Sequence, residues 1–234
     1  MTADLVVSNA QIVTPSSTFA GHIYVTGGRI SAITSEKEAG AAREIDAEGR
    51  FVLPGMVDEH VHMMDPGFTD REDWTTGTMA AARGGITTVV DHHRSEPLVY
   101  TRKILEEKTE YINSRAVVDF GQLGGIDLDN LEHLKPMWDG GALGFKGFIC
   151  ELHGVPDLSE GVLLNVMREV KTFGGTVMLH CESDSILKKA KAQIDADGRT
   201  DYMCISDWRN PESEYVATMD AISLAELTGC TVLV

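Results

Sequence analysis

Two patterns of apolar and polar positions divide the chain. Over residues 4–53, short runs rich in β-branched residues (LVVSNAQIV, HIYVTGG-RISAI, EIDAEGRFVL) are interrupted by Gly and Asn, and Gly27-Gly28 between two apolar stretches is a hairpin signal. This predicts a small β-domain over residues 1–53, closed by Pro54-Gly55. Over residues 54–234, apolar runs beginning near Val52, Ile86, Ala116, Gly144, Thr176 and Thr231 alternate with helical stretches. The first four intervals are each about 30 residues, the length of one βα unit. The last is longer and leaves room for an additional helix. Thr75–Arg83 is Ala-rich and stops at Gly84-Gly85, Leu98–Asn113 is amphipathic, and Ser159–Phe173 stops at Gly174-Gly175. Asn210-Pro211-Glu212 is an N-cap followed by proline at the first helical position, and that helix runs to Gly229. Repeated βα units with near-continuous apolar strands predict a parallel sheet. The periodicity leaves a doubly wound sheet and a (β/α)8 barrel both open.

Composition narrows the partners. The 234 residues carry 20 Lys plus Arg against 36 Asp plus Glu, a formal net charge of −16. That balance argues against nucleic acid or an anionic membrane as partner, since both reward clustered cations. No apolar run approaches the roughly 18–20 residues that span a bilayer, and the N-terminus MTADLVVSNAQIVTP has neither the basic start nor the apolar stretch of a signal peptide. The four cysteines, Cys150, Cys181, Cys204 and Cys230, form no CxxC pair, which predicts reduced thiols in a cytoplasmic protein.

The chemistry collects at the C-terminal ends of the apolar runs. In Gly55-Met-Val-Asp-Glu-His-Val-His62, strand alternation puts Asp58, His60 and His62 on one face, where two imidazoles can share a metal ion. The alternative is a pair of half-exposed histidines beside a turn. Lys146 lies inside the apolar run Gly144–Ile149, where an unpaired ammonium is costly; either its amine reaches the rim or its charge is removed. Desolvation lowers a lysine's pKa, and the neutral amine can react with CO2 to give a carbamate. His180 ends the run Thr176–His180 and is either a core histidine or a ligand.

Taken in order, Pro54-Gly-Met-Val-Asp58-x-His60-Val-His62, Asp65-Pro-Gly67, Thr76-Gly-Thr78, Gly84-Gly-Ile-Thr-Thr-Val89, Gly144-Phe-Lys146 and His180-Cys-Glu182 resemble the amidohydrolase superfamily, in its cyclic amidase branch of allantoinases, hydantoinases (dihydropyrimidinases) and dihydroorotases. The resemblance covers nearly the whole chain. It implies a TIM-type (β/α)8 barrel beside a small N-terminal β-sandwich layer, and two divalent metal ions, usually Zn2+. His60 and His62 would hold the first ion, a carboxylated Lys146 would bridge both, and His180 would bind the second. Asp58 would orient a ligand histidine. A metal-bridging hydroxide would open the ring of a small cyclic amide, an allantoin-like ureide or imide, in a tetrameric or dimeric enzyme.

Two groups that the resemblance implies, a histidine after strand 6 and a catalytic aspartate after strand 8, have no counterpart before Val234, so these residues read as the N-terminal half of a longer chain with five to six of the eight strands. Such a half on its own is expected to be inactive. Met63 and Met64 stand where dihydroorotases carry an arginine, and Glu151 where hydantoinases carry a tyrosine. Asp65-Pro66-Gly67 and Phe120–Gly125 favour allantoinase, whereas Asp91-His92-His93-Arg94 departs from its usual form. Asp65, His92, His93, Glu151 and His153 are candidates for the substrate pocket. A deaminase with one metal ion and a non-catalytic hydantoinase-like scaffold are the competing readings; Lys146 speaks against the first and the intact ligand positions against the second.

Overall fold

A computed structural model describes residues 3–38, 40–152 and 154–234. The chain separates into two compact units, Met1–Met56 and Val57–Val234.

The first unit is one mixed sheet. Strands β1 (Leu5–Val13), β2 (Thr18–Thr26), β3 (Arg29–Thr34) and β4 (Arg43–Asp46) lie in the order β3-β2-β1-β4, and β5 (Phe51–Val52) also pairs with β1. The β1–β2–β3 pairings are antiparallel, whereas β4 and β5 run parallel to β1. Alternation along β1 buries Val6, Ser8, Ala10 and Ile12, and Ala10 and Ile12 join Ile23 and Ala47 in a small core. Gly27 and Gly28 have φ of 59° and 74°, both positive as a type I′ turn requires, and they close the expected hairpin between β2 and β3. Where the resemblance implies a sandwich, the described strands form a single layer. The run near Val52 also divides: Phe51 and Val52 pair with Gln11 and Ile12, and the next strand starts only at Met56. Pro54 between them has no N–H for a ladder, which explains the break.

The second unit alternates strands with helices. In order these are β6 (Met56–Val61), α1 (Trp74–Arg83), β7 (Ile86–Asp91), α2 (Arg102–Asn113), β8 (Asp119–Gln122), β9 (Gly124–Gly125), α3 (Leu131–Asp139) and β10 (Phe145–Phe148). Then follow α4 (Glu160–Thr172), β11 (Thr176–His180), α5 (Asp184–Ala196), α6 (Cys204–Trp208), α7 (Pro211–Thr228) and β12 (Thr231–Leu233). The strands run β6-β7-β8 and β9-β10-β11-β12 in space. Only Leu123 separates β8 from β9, and its N–H donates to the Asp91 carbonyl, so the two short strands act as one rung. The result is six rungs in chain order, with β7–β8, β9–β10, β10–β11 and β11–β12 all parallel.

The expected helices form. Asn210 Oδ1 accepts the Ser213 N–H at 3.0 Å, Pro211 occupies the first turn of α7, and Gly229 ends it with φ of 66°. The long last interval holds two helices before α7, the 13-residue α5 and the five-residue α6, where one was expected. Helix α3 carries Pro136 in its interior, which hid it from a reading based on propensity. The main core lies between the sheet and helices α3, α4 and α7, where Phe145, Val177 and Leu179 meet Leu134, Leu163, Met167 and Ala221.

Packing along β10 is close enough to be tested. A Cβ on Gly144 would sit 2.9 Å from the Thr176 carbonyl oxygen, a backbone atom of the neighbouring rung. Gly144→Ala is therefore expected to destabilise the full-length protein by about 1–3 kcal/mol, read as a lower urea midpoint; an unchanged midpoint would show that β10 and β11 can spread.

Candidate metal centre

The strand ends carry the site because parallel rungs bring their C-terminal ends to one side. His60 is the last residue but one of β6 with His62 directly after the strand, Asp91 closes β7 with His92 and His93 directly after it, and His180 closes β11. Lys146 is the second residue of β10, two register steps before the Phe148–His180 pair and therefore on the same face of the strand as Phe148. A cavity of about 310 Å³ is lined by His60, His62, Lys146 and His180 together, and an adjoining one of about 520 Å³ by His60, Lys146 and His180.

Two contacts from the end of β7 fix the His60–Met63 segment. The His92 N–H donates to the Val61 carbonyl at 3.0 Å, and the Met63 N–H donates to Asp91 Oδ1 at 3.0 Å. His62 is thus held from both sides. The other Asp91 oxygen accepts from Lys108 Nζ at 2.6 Å, and both side chains are buried. Burial raises the Asp91 carboxyl above its ordinary value, while Lys108 and the Met63 N–H pull it down.

The imidazoles form a tight group. The His60 and His92 rings stack with centroids 3.8 Å apart, and His62 lies 5.3 Å from His60 and 4.8 Å from His92. Ligand atoms of all three fall within 4.8 Å of one another. Desolvation lowers His62 to about 4 and His92 to about 2, and it lowers His60 as well, with neighbouring cationic and imidazole groups acting in the same direction. At neutral pH these rings are uncharged and present lone pairs, the form that binds a cation. His92 is fully buried and neither ring nitrogen has a hydrogen-bond partner among the described residues. This donor set fits a divalent metal ion.

Lys146 is 3% exposed and desolvation lowers it from 10.5 to about 8. Its Nζ lies 5.1 Å from the centre of the Phe148 ring. His180 Nε2 lies 2.5 Å from Glu182 Oε2, and Arg209 also contacts that carboxylate oxygen. Cys150, His180 and Glu182 form a second group of donor atoms within 4.8 Å. Burial pushes the Cys150 thiol up to about 11.

Several expected positions lie elsewhere. Asp58 Oδ1 accepts the backbone N–H of His60 at 3.2 Å and bonds to no ligand ring. Asp65 lines neither of these cavities: it is buried, Oδ2 accepts the Trp74 N–H, Oδ1 accepts the Tyr111 hydroxyl at 2.6 Å, and its carbonyl accepts Trp74 Nε1–H. Those bonds cap the start of α1 and use both carboxylate oxygens. His93 is buried behind the site near Tyr100 and Phe148, and Glu151 is exposed, its N–H donating to Asp184 Oδ1. His153 lies outside the described residues. Sequence reasoning missed Arg71 and Arg94, which line the smaller cavity with Glu72. Neither arginine has an acidic partner among the described residues, in a chain with an excess of acids.

The chain belongs to the amidohydrolase family, whose pattern matches residues 51–222. It is 32% identical to an allantoinase from Deinococcus radiodurans over 98% of this chain and 52% of that protein. It is likewise 32% identical to an L-hydantoinase from Paenarthrobacter aurescens over 99% of this chain and 51% of the relative. The structure of an L-hydantoinase (dihydropyrimidinase) from Arthrobacter aurescens superposes with a TM-score of 0.95 at 31% identity, covering 98% of this chain and 52% of that one. The chain thus spans about half the length of the relatives it matches.

The buried Asp91–Lys108 pair holding Met63 gives a direct test. Lys108→Met strands a buried carboxylate and is expected to cost about 3–5 kcal/mol of stability, whereas Lys108→Met with Asp91→Asn should recover much of it. Equal loss in single and double variants, measured by denaturant unfolding, would mean that the pair does not act as a unit.

Proposed function

We propose that the full-length protein hydrolyses a ring amide of a small cyclic ureide or imide, with allantoin-like compounds first and hydantoins second. The observation that carries this reading is the one cavity shared by His60, His62, Lys146 and His180. Membership of the amidohydrolase family supports it, as do the allantoinase and hydantoinase relatives.

Two divalent ions, Zn2+ by the nature of the donors, would be held by His60 and His62 on one side and His180 on the other. When bound, such ions polarise a carbonyl and lower the pKa of water. Lys146 would bridge them as a carbamate. Its uncharged Nζ attacks the carbon of CO2, a C–N bond forms, one C=O electron pair moves to oxygen, and the nitrogen releases a proton to solvent. A pKa near 8 leaves a minor but appreciable fraction of the amine neutral at physiological pH, far more than in an ordinary lysine. The carbamate carries the negative charge that a centre of neutral imidazoles lacks.

Glu182, itself against Arg209, occupies His180 Nε2 and leaves Nδ1 free as donor, the carboxylate–histidine arrangement that fixes a ligand's tautomer. Arg71 and Arg94 place guanidinium donors at the cavity wall, suited to the carbonyl or ureido oxygens of a polar ring. No described helix is long and apolar enough to cross a membrane. We place the enzyme in the cytoplasm, in keeping with its four free cysteines, and expect a dimer or tetramer.

Lys146→Ala in the full-length protein should abolish turnover of allantoin and hydantoin, with partial rescue by a short carboxylic acid. Protein labelled with 13C-bicarbonate should give a carbamate resonance that this variant loses. Full turnover without Lys146, or no hydrolysis across allantoin, hydantoin, dihydrouracil, dihydroorotate and succinimide, would contradict the proposal.

A further inference from the structure

The end of β7 holds an imidazole that the proposed ring-opening chemistry does not use. His92 is 0% exposed, its ring stacks on His60 at 3.8 Å, and its ligand atom lies within 4.8 Å of those of both His60 and His62. Its backbone is fixed between them, because its N–H donates to the carbonyl of Val61. A neutral imidazole has one N–H and one lone pair, and both need partners when buried. His92 has a partner for neither among the described residues. Ring stacking satisfies the π-faces and leaves the in-plane nitrogens unpaired. A cation at the nitrogen-bearing edge of the three rings, in the plane of the His92 ring, would satisfy one of those nitrogens, with the His60 ring turning out of the stack to share it.

We infer that His92 is a third imidazole ligand of the His60–His62 centre, so that one transition-metal ion is held by nitrogen donors from two adjacent rungs. The inference rests on the proposed metal centre and adds a ligand to it. A third uncharged ligand has two consequences. It leaves the charge of the ion undiminished, which favours acidification of bound water, and it selects Zn2+, Co2+, Ni2+ or Cu2+ over the oxygen-seeking Mg2+ and Ca2+. It also gives a role to the departure at Asp91-His92-His93, since the loop after β7 then supplies a ligand as well as a wall.

The test is Co2+ binding by full-length protein stripped of metal with a chelator, followed by visible absorption and by competition with a chromophoric chelator. Three proteins are compared: wild type, His92→Phe, which keeps the ring bulk and removes both nitrogens, and His60→Asn. Circular dichroism of each metal-free form reports folding. His92→Phe should bind Co2+ more than about 100-fold more weakly than wild type, beyond the range of an outer-sphere partner, with an altered absorption band. A folded His92→Phe that keeps the wild-type band and an affinity within about threefold, while His60→Asn loses both, overturns the ligand role of His92 and leaves the proposed centre standing. Retention of both by His60→Asn as well would remove the centre itself. Should His92→Phe fail to fold, a Zn2+-loaded wild-type crystal decides: an anomalous peak about 2.0–2.1 Å from a His92 nitrogen supports the inference, and a peak on His60 and His62 with His92 beyond bonding reach overturns it.

Discussion

Parallel pairing of the rungs in chain order is the constraint from which the rest follows. Because β10 and β11 run side by side with Phe148 opposite His180, and β7 ends against the segment after β6, polar residues distant in sequence arrive at one end of the sheet. Each is tolerable there because the strand end is where the apolar core stops. The same pairing sets direction as well as proximity: the Val61 carbonyl accepts from His92 while Asp91 accepts from Met63, so the imidazoles of His60 and His62 at the end of β6 are fixed by hydrogen bonds made one rung away. The buried Lys108 ammonium keeps that clamp charged and closed.

Electrostatics then divide the molecule. A net charge of −16 surrounds a cavity whose wall carries Lys146, Arg71 and Arg94. Lys146 is the costliest of these, since it is buried without an ion-pair partner among the described residues and responds with a lowered pKa. In the proposed chemistry, removal of its charge by CO2 would turn that penalty into a bridging anion. The half-buried Arg94 and the exposed Arg71 line the same space, which would suit the proposed ring rich in carbonyl oxygen.

Much of this was legible in the sequence. Alternation in Asp58-x-His60-x-His62, an isolated lysine in an apolar run and a histidine at a strand end are local signals, and the βα spacing supplied the order of the rungs. What was not legible depended on partners far away in sequence. Asp65 looks like a site residue because it follows the histidines, yet Tyr111 and Trp74 claim its oxygens. Glu182 appeared only as part of a motif until Arg209 and His180 closed on it. His92 resembled a loop residue because its position between His60 and His62 is a property of the β6–β7 register, which composition does not encode. The β5–β6 break was hidden because one apolar run serves two sheets, split by a proline that cannot donate.

The most direct measurement is the number of divalent ions that the full-length protein retains after exhaustive dialysis, counted by mass spectrometry against protein concentration. The account predicts about two ions per chain, with zinc predominant, in protein that retains its carbon dioxide adduct. Protein that is folded, holds no metal and takes up none from added Zn2+ would contradict it.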